Sequence, residues 1–204
     1  MQKFIAVFYT TSILCLGACH SSKEKQSVAI NNTEENLKTT DEAPSFFPVT
    51  DFFLGQLKET EGLPVTPLKI TITGNRQDSL WLKKEDIRVF TSPFLSPVID
   101  STFTQNYFVE KSFMDQTINA VTFSYDPKNK LPDSIKLNHW DVYIDPQKNT
   151  VQRIYLVKDE NIDGKNITTQ LTWKVNKWCS IRTIIQQAGK DPLIKEVIMK
   201  WDFE

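Results

Sequence analysis

The sequence has only two histidines, His20 and His139, which excludes a zinc-protease motif with two histidines four apart on one helix face. Its three cysteines, Cys15, Cys19 and Cys179, contain no C-x-x-C pair for thiolate redox chemistry or a zinc knuckle. Glycine is scarce as well, at six residues. Phosphate cradles need several backbone amides close to the ligand, and glycines permit that approach. Neither G-x-G-x-x-G nor G-x-x-x-x-G-K occurs, nor does the G-x-S-x-G nucleophile elbow. An excess of one charge is missing too, with 24 Lys and Arg against 25 Asp and Glu. Nucleic-acid binders usually carry a basic excess, so nucleic acid is not expected as a partner. No cofactor and no metal is expected, the one partial match being to a calcium loop at Asp159, Asn161 and Asp163.

What is present is a chain able to build a core. Of its 204 residues, 40% are hydrophobic and 11% aromatic, which argues for one folded domain. The longest apolar run is N-terminal. Lys3 precedes Phe4 to Leu16, a stretch well short of the roughly 20 residues a spanning helix needs, so it reads as the core of an export signal. The run closes on Leu16-Gly17-Ala18-Cys19.

An aliphatic residue, two small residues and a cysteine in that order resemble the lipobox of bacterial lipoproteins. The resemblance implies cleavage between Ala18 and Cys19 and acylation of Cys19, and several acyl chains together anchor a protein stably. His20 stands where an aspartate would favour inner-membrane retention, so the resemblance points to the outer membrane, facing periplasm or surface. The chain as a whole resembles the small uncharacterised lipoproteins of Bacteroidota, which implies an address and no particular activity. Asp78-Ser79-Leu80, Asp100-Ser101-Thr102 and Asp133-Ser134-Ile135 resemble the acceptor sites of O-glycosylation in the same group, although turn chemistry accounts for Asp-Ser equally well.

Three segments follow: a signal over 1–18, a lipidated cysteine with a solvated tether over 19–45, and a globular domain over 46–204. The tether is rich in Ser, Lys, Glu, Asn and Thr and cannot bury enough surface to offset its ordering entropy. As a flexible coil its ends would lie roughly 25–30 Å apart. In the domain, Phe53, Leu54 and Leu57 predict a helix over 50–60, and Ile87, Phe90 and Phe94 another over 84–95. Alternation at Leu68, Ile70 and Ile72 predicts a strand ending at Gly74-Asn75. From residue 117 onward period-two patterns dominate, most clearly at Ile167, Thr169, Leu171, Trp173 and Val175. Residues 97–116 read as loop and short helix. The expected fold is α+β: a curved antiparallel meander of six or seven strands with two or three N-terminal helices on one face.

Four groups of residues are candidates for function. Asp159, Asn161 and Asp163 with Gly164 match the front half of a calcium loop, but Gln170 occupies the twelfth position. The alternative is a hairpin turn with Asp-Gly at its tip. His139 and Asp141, two apart on a strand, share a face about 7 Å apart. Adding Cys179 gives the elements of a Cys-His-Asp set, although its apolar neighbours make Cys179 look like core. Five tryptophans, Trp81, Trp140, Trp173, Trp178 and Trp201, could line a sugar or lipid cleft or fill the core; core is the expected place for most, with Trp178 expected to be the exposed one.

Two functional readings result. The first is a membrane-anchored, non-enzymatic binding or accessory domain for envelope proteins or a small apolar ligand. The second is an envelope hydrolase or transferase using His139 with nearby carboxylates.

Overall fold

The computed structural model describes residues 46–203. The expected signal, Cys19 and the tether lie outside the described residues. Within them, no helix is long and apolar enough to cross a membrane.

Helix α1 runs from Val49 to Gly62 and buries Val49, Thr50, Phe53, Leu57 and Thr60, the three- and four-residue spacing of one helical face. Leu54 points away and is exposed. The chain leaves the helix through extended Leu63 before Pro64, which cannot continue it. A hairpin follows, β1 (Leu68–Thr73) and β2 (Arg76–Trp81), turning at Gly74 with a positive φ. Next come a 3-10 turn at Lys84–Asp86, α2 (Ile87–Thr91), a second 3-10 turn at Ser92–Leu95 and α3 (Ser101–Tyr107). The helix expected over 84–95 is thus three short pieces, with Pro93 opening the last of them. Asp100 caps α3, accepting from the Phe103 amide at 2.7 Å, a structural task for one of the Asp-Ser pairs.

Seven strands complete the chain: β3 (Phe108–Asp115), β4 (Ala120–Pro127), β5 (Leu137–Asp145), β6 (Thr150–Ile162), β7 (Lys165–Lys174), β8 (Trp178–Gln187) and β9 (Leu193–Lys200). They form a consecutive meander, and β1 pairs antiparallel with β9, so the spatial order is β2-β1-β9-β8-β7-β6-β5-β4-β3. Among the described residues the expected six or seven strands are therefore nine. The added ones, β2 and β3, are the two edges. The helices are N-terminal only in part, since the β1–β2 hairpin separates α1 from α2.

The two edges explain where the helices lie. The chain finishes β2 at one edge and begins β3 at the other, so residues 82–107 must travel across the sheet. Their apolar side chains, together with those of α1, cover one face. Phe53 and Phe94 pack against Trp173 with ring centroids 5.5 and 5.3 Å from it and 5.4 Å from each other, and Trp201 meets Trp173 at 5.6 Å. Toward β3, Trp140 stacks on Tyr125 at 4.6 Å and meets Phe108 edge-on at 4.4 Å. Each such buried ring contributes on the order of 2–3 kcal/mol by leaving water. Trp140, Trp173 and Trp201 are core, as expected for most of the tryptophans, but Trp81 at the edge is the exposed one at 61%, and Trp178 is half-buried.

The strand residues in the core, among them Val142, Ile154, Leu156, Leu171, Cys179 and Met199, all lie on that helix-covered face. The opposite, open face is built from half-exposed side chains such as His139, Asp141, Tyr143, Arg153 and Tyr155.

Candidate functional site

A local irregularity aims the histidine. Leu137 opposes Lys158, whereas His139 opposes Val157, so the ladder between β5 and β6 slips at Asn138. Residues two apart normally share a face, but the bulge keeps Leu137 in the core and turns His139 to the open face. From there regular alternation resumes, and Asp141 and Tyr143 follow His139 on that side. The expected pairing of His139 with Asp141 is realised.

The imidazole lies between two carboxylates. Its Nδ1 is 2.9 Å from Oδ1 of Asp126 and its Nε2 is 3.2 Å from Oδ1 of Asp141. Asp126 comes from β4 and also pairs with Lys111 of β3 at 3.0 Å. The Tyr143 hydroxyl donates to Oδ2 of Asp141 at 3.0 Å, and the Arg153 guanidinium covers the Tyr143 ring at 4.0 Å. The side chain of Asp141 is 14% exposed, that of His139 27% and that of Asp126 39%. Asp141 is therefore the inner carboxylate and Asp126 the one that meets solvent.

Two acceptors, one at each ring nitrogen, favour the doubly protonated imidazolium. Asp141 first, then Asp126, hold His139 above its ordinary pKa, against a partial burial that pulls the other way. Burial pushes Asp141 up, but the bonds from His139, Ser124 and Tyr143 outweigh it and leave its pKa lowered. Lys111 and then His139 lower Asp126. Burial and the Asp141 charge push the Tyr143 phenol up to about 12. The arrangement favours a cation held by two anions, with the Nδ1 proton on its solvent side.

The other candidate residues go elsewhere. Cys179 opposes Trp173 on the helix-covered face and is fully buried, so the sheet stands between its thiol and His139. A Cys-His-Asp set is not formed. Asp163 and Gly164 both have positive φ, 52° and 72°, at the tip of the β6–β7 hairpin, a type I′ turn. Asp159 accepts from Asn138 and Thr168, and Asn161 donates to Asn166 across the ladder. The half-motif for calcium is thus strand and turn, and no group of three or more acidic, His or Cys residues among the described residues could hold a metal.

The histidine lines none of the main grooves among the described residues, although one of about 330 Å³ reaches its neighbour Asn138. One of about 700 Å³ runs between the loop at Leu131–Lys136 and the β6–β7 hairpin. Another, of about 440 Å³, lies at the helix edge, where Lys158 donates to the carbonyls of Pro93 and Ser96. His139 lines neither.

Sequence reasoning missed Asp126, Lys111 and Arg153. Asp126 shares the parity of Thr122 and Ser124 on β4, so its face was legible, but its approach to His139 depends on the β4–β5 register. The chain matches no protein-family model and no curated protein, so the reading of this cluster rests on its geometry.

Proposed function

We propose that this protein is an envelope lipoprotein held in the membrane through Cys19, and that its open sheet face carries an acid–base site of hydrolase or transferase type centred on His139. The observation that carries the reading is the contact of both imidazole nitrogens with carboxylates at 2.9 and 3.2 Å on a solvent-facing surface. Charge-dense networks with shifted pKa values concentrate at functional sites.

In this reading Asp141 orients the ring from the inner side. A leaving-group oxygen displaces Asp126 from Nδ1 and takes the imidazolium proton. Asp126, released, accepts the proton of the attacking water or acceptor hydroxyl, and as the product departs it returns that proton to Nδ1 of His139, which restores both groups to their starting states. No covalent intermediate is needed, in keeping with the burial of Cys179 on the other face.

The test is turnover of a panel of ester, phosphoester and glycoside reporters by the mature chain in detergent, beside His139→Gln. Loss of general acid catalysis lowers kcat by about 10²–10⁴-fold with KM little changed. An equal rate in the variant, or no turnover by the wild type on any reporter, overturns the enzymatic reading. Anchoring is tested separately, by palmitate labelling of the wild type and Cys19→Ser.

A specific observation favours the non-enzymatic reading as the second choice. Both ring nitrogens are already engaged, and the cluster lies on an exposed sheet rather than in either groove. As a binding module the protein would use this same face, since the helix-covered one is filled by Phe53, Phe94 and Trp173.

A further inference from the structure

One register row crosses the open face beside the His139 cluster. Directly paired residues place Tyr143 of β5, Arg153 of β6, Lys174 of β7, Trp178 of β8, Lys200 of β9, Leu68 of β1 and Trp81 of β2 in line. Side chains opposite each other in a ladder lie on one face, so this is a continuous strip. Six interstrand steps make it roughly 29 Å long.

The strip has an unusual composition. It holds three cations and three aromatic rings and no acid. No salt bridge among the described residues involves Arg153, Lys174 or Lys200; Arg153 instead sits over Tyr143 at 4.0 Å, and Lys200 lies 5.8 Å from the ring of Phe203. Phe203 in turn meets Trp81 edge-on at 5.9 Å, extending the aromatic end of the strip into solvent. Partial burial and the charges of Arg153 and Lys177 lower the pKa of Lys174, as expected where like charges crowd together. The whole chain is close to neutral, so this local excess is a matter of placement.

We infer that this strip binds a linear anionic polysaccharide lying across the strands, its acid groups on Arg153, Lys174 and Lys200 and its sugar rings against Trp178 and Trp81. Charge complementarity names the sign of the occupant. The linear spacing names its shape, because cations and flat rings succeed one another at interstrand distance, comparable to the repeat of a pyranose chain. Flat rings stack on sugar faces and cations supply the acid-group contacts. The strip shares Tyr143 and Arg153 with the edge of the His139 cluster but does not depend on the chemistry of His139.

The test is binding of polygalacturonate to the mature chain in detergent, with fully methyl-esterified polymer as the neutral arm and phosphatidylglycerol vesicles as the membrane arm. Lys174→Glu/Lys200→Glu is compared with Lys130→Glu/Lys190→Glu, which makes the same change of net charge at exposed turns. Expected are salt-sensitive binding of the acidic polymer, about tenfold or more weaker in the strip variant and unchanged in the control. Trp178→Ala should also weaken it, with thermal melting of each variant confirming that it folds. Equal losses in both charge variants, no binding of the polymer, or binding of vesicles alone would overturn the inference. The neutral polymer binding as tightly as the acidic one would overturn it too.

Discussion

His139 and Cys179 lie on opposite faces of one sheet, the imidazole half-exposed among carboxylates and the thiol buried against Trp173 and Met199. The relation follows from parity. Cys179 opposes Trp173 and Met199, both core, whereas the slip at Asn138 sends His139 the other way. Burial also pushes the Cys179 thiol well above its ordinary pKa. In a Cys19→Ser background a thiol reagent should therefore leave Cys179 unlabelled in the native protein and label it in urea. Rapid native labelling would mean that the helix-covered face opens.

The His139 cluster should leave a signature in the pH dependence of stability. A histidine with a raised folded pKa contributes stability that is complete below its unfolded value, about 6.5, and lost as pH rises through the folded one. Asp126 and Asp141 have lowered pKa values, so their contribution is present above about 4 and lost as pH falls through the folded values. The cluster therefore supports the fold most between roughly pH 4 and 6.5. Urea unfolding of His139→Gln should lose the decline above that window, and the imidazole proton resonances of the wild type should titrate above 6.5. A midpoint at or below 6.5 would show that the two carboxylates do not hold the ring as a cation.

Asp141 is the partner whose loss should be felt most. It is the less exposed carboxylate and accepts from both His139 and Tyr143. Asp141→Asn keeps the shape and removes the charge, and a hydrogen bond to a charged group contributes about 1.5–3 kcal/mol. With the solvent-side exposure of the cluster, a cost of about 1 kcal/mol is expected in denaturant unfolding, with the His139 titration moved down. Asp126→Asn, at the more exposed site, should cost less. The reverse order would assign the inner role to Asp126.

The strands that were legible and those that were not differ in one physical respect. β7 alternates cleanly because one of its faces is core and the other meets solvent, so Leu171 and Trp173 stand out against Thr172 and Lys174. β2, Arg76–Trp81, is exposed at every position, and β3 buries only Phe108. Both are edge strands, where burial imposes little pattern on the sequence. Trp81 belongs to such an edge, which is why its exposure was not expected. His139 and Asp141 could be joined from their spacing alone, whereas Asp126 and Arg153 reach the cluster through cross-strand register, which a short sequence window does not contain.

The β6–β7 tip separates a hairpin from a calcium loop by experiment. Gly164 sits at φ 72°, where a Cβ is unfavourable, although space around it is open. Gly164→Ala should therefore cost about 1–2 kcal/mol through backbone strain alone. Millimolar calcium should leave the melting temperature of the wild type unchanged, because Asp159 and Asn161 are engaged across the ladder. A calcium-dependent rise that Asp163→Ala abolishes would restore the cation reading.

Lys158 offers a test at the alkaline end. It sits on the helix-covered side, where its ammonium donates to the carbonyls of Pro93 and Ser96 and so fastens the segment before α3 to β6. Burial nevertheless pulls its pKa down to about 8, with Glu160 acting in the opposite direction. Between that value and the unfolded one, about 10.4, the unfolded chain holds more protons, so this residue makes stability rise with pH. Tyr143, raised to about 12, acts in the opposite sense only above about 10, where unfolded tyrosine ionises. Cys179 also opposes the rise, from about 8.5 upward, but equally in every protein that retains it. The difference between the wild type and Lys158→Met, measured by urea unfolding from pH 8 to 10, therefore isolates Lys158. The expected result is that the variant loses ground to the wild type as pH rises across that interval. Parallel curves would mean that the two carbonyls sustain the ammonium against burial, leaving its pKa at the ordinary lysine value.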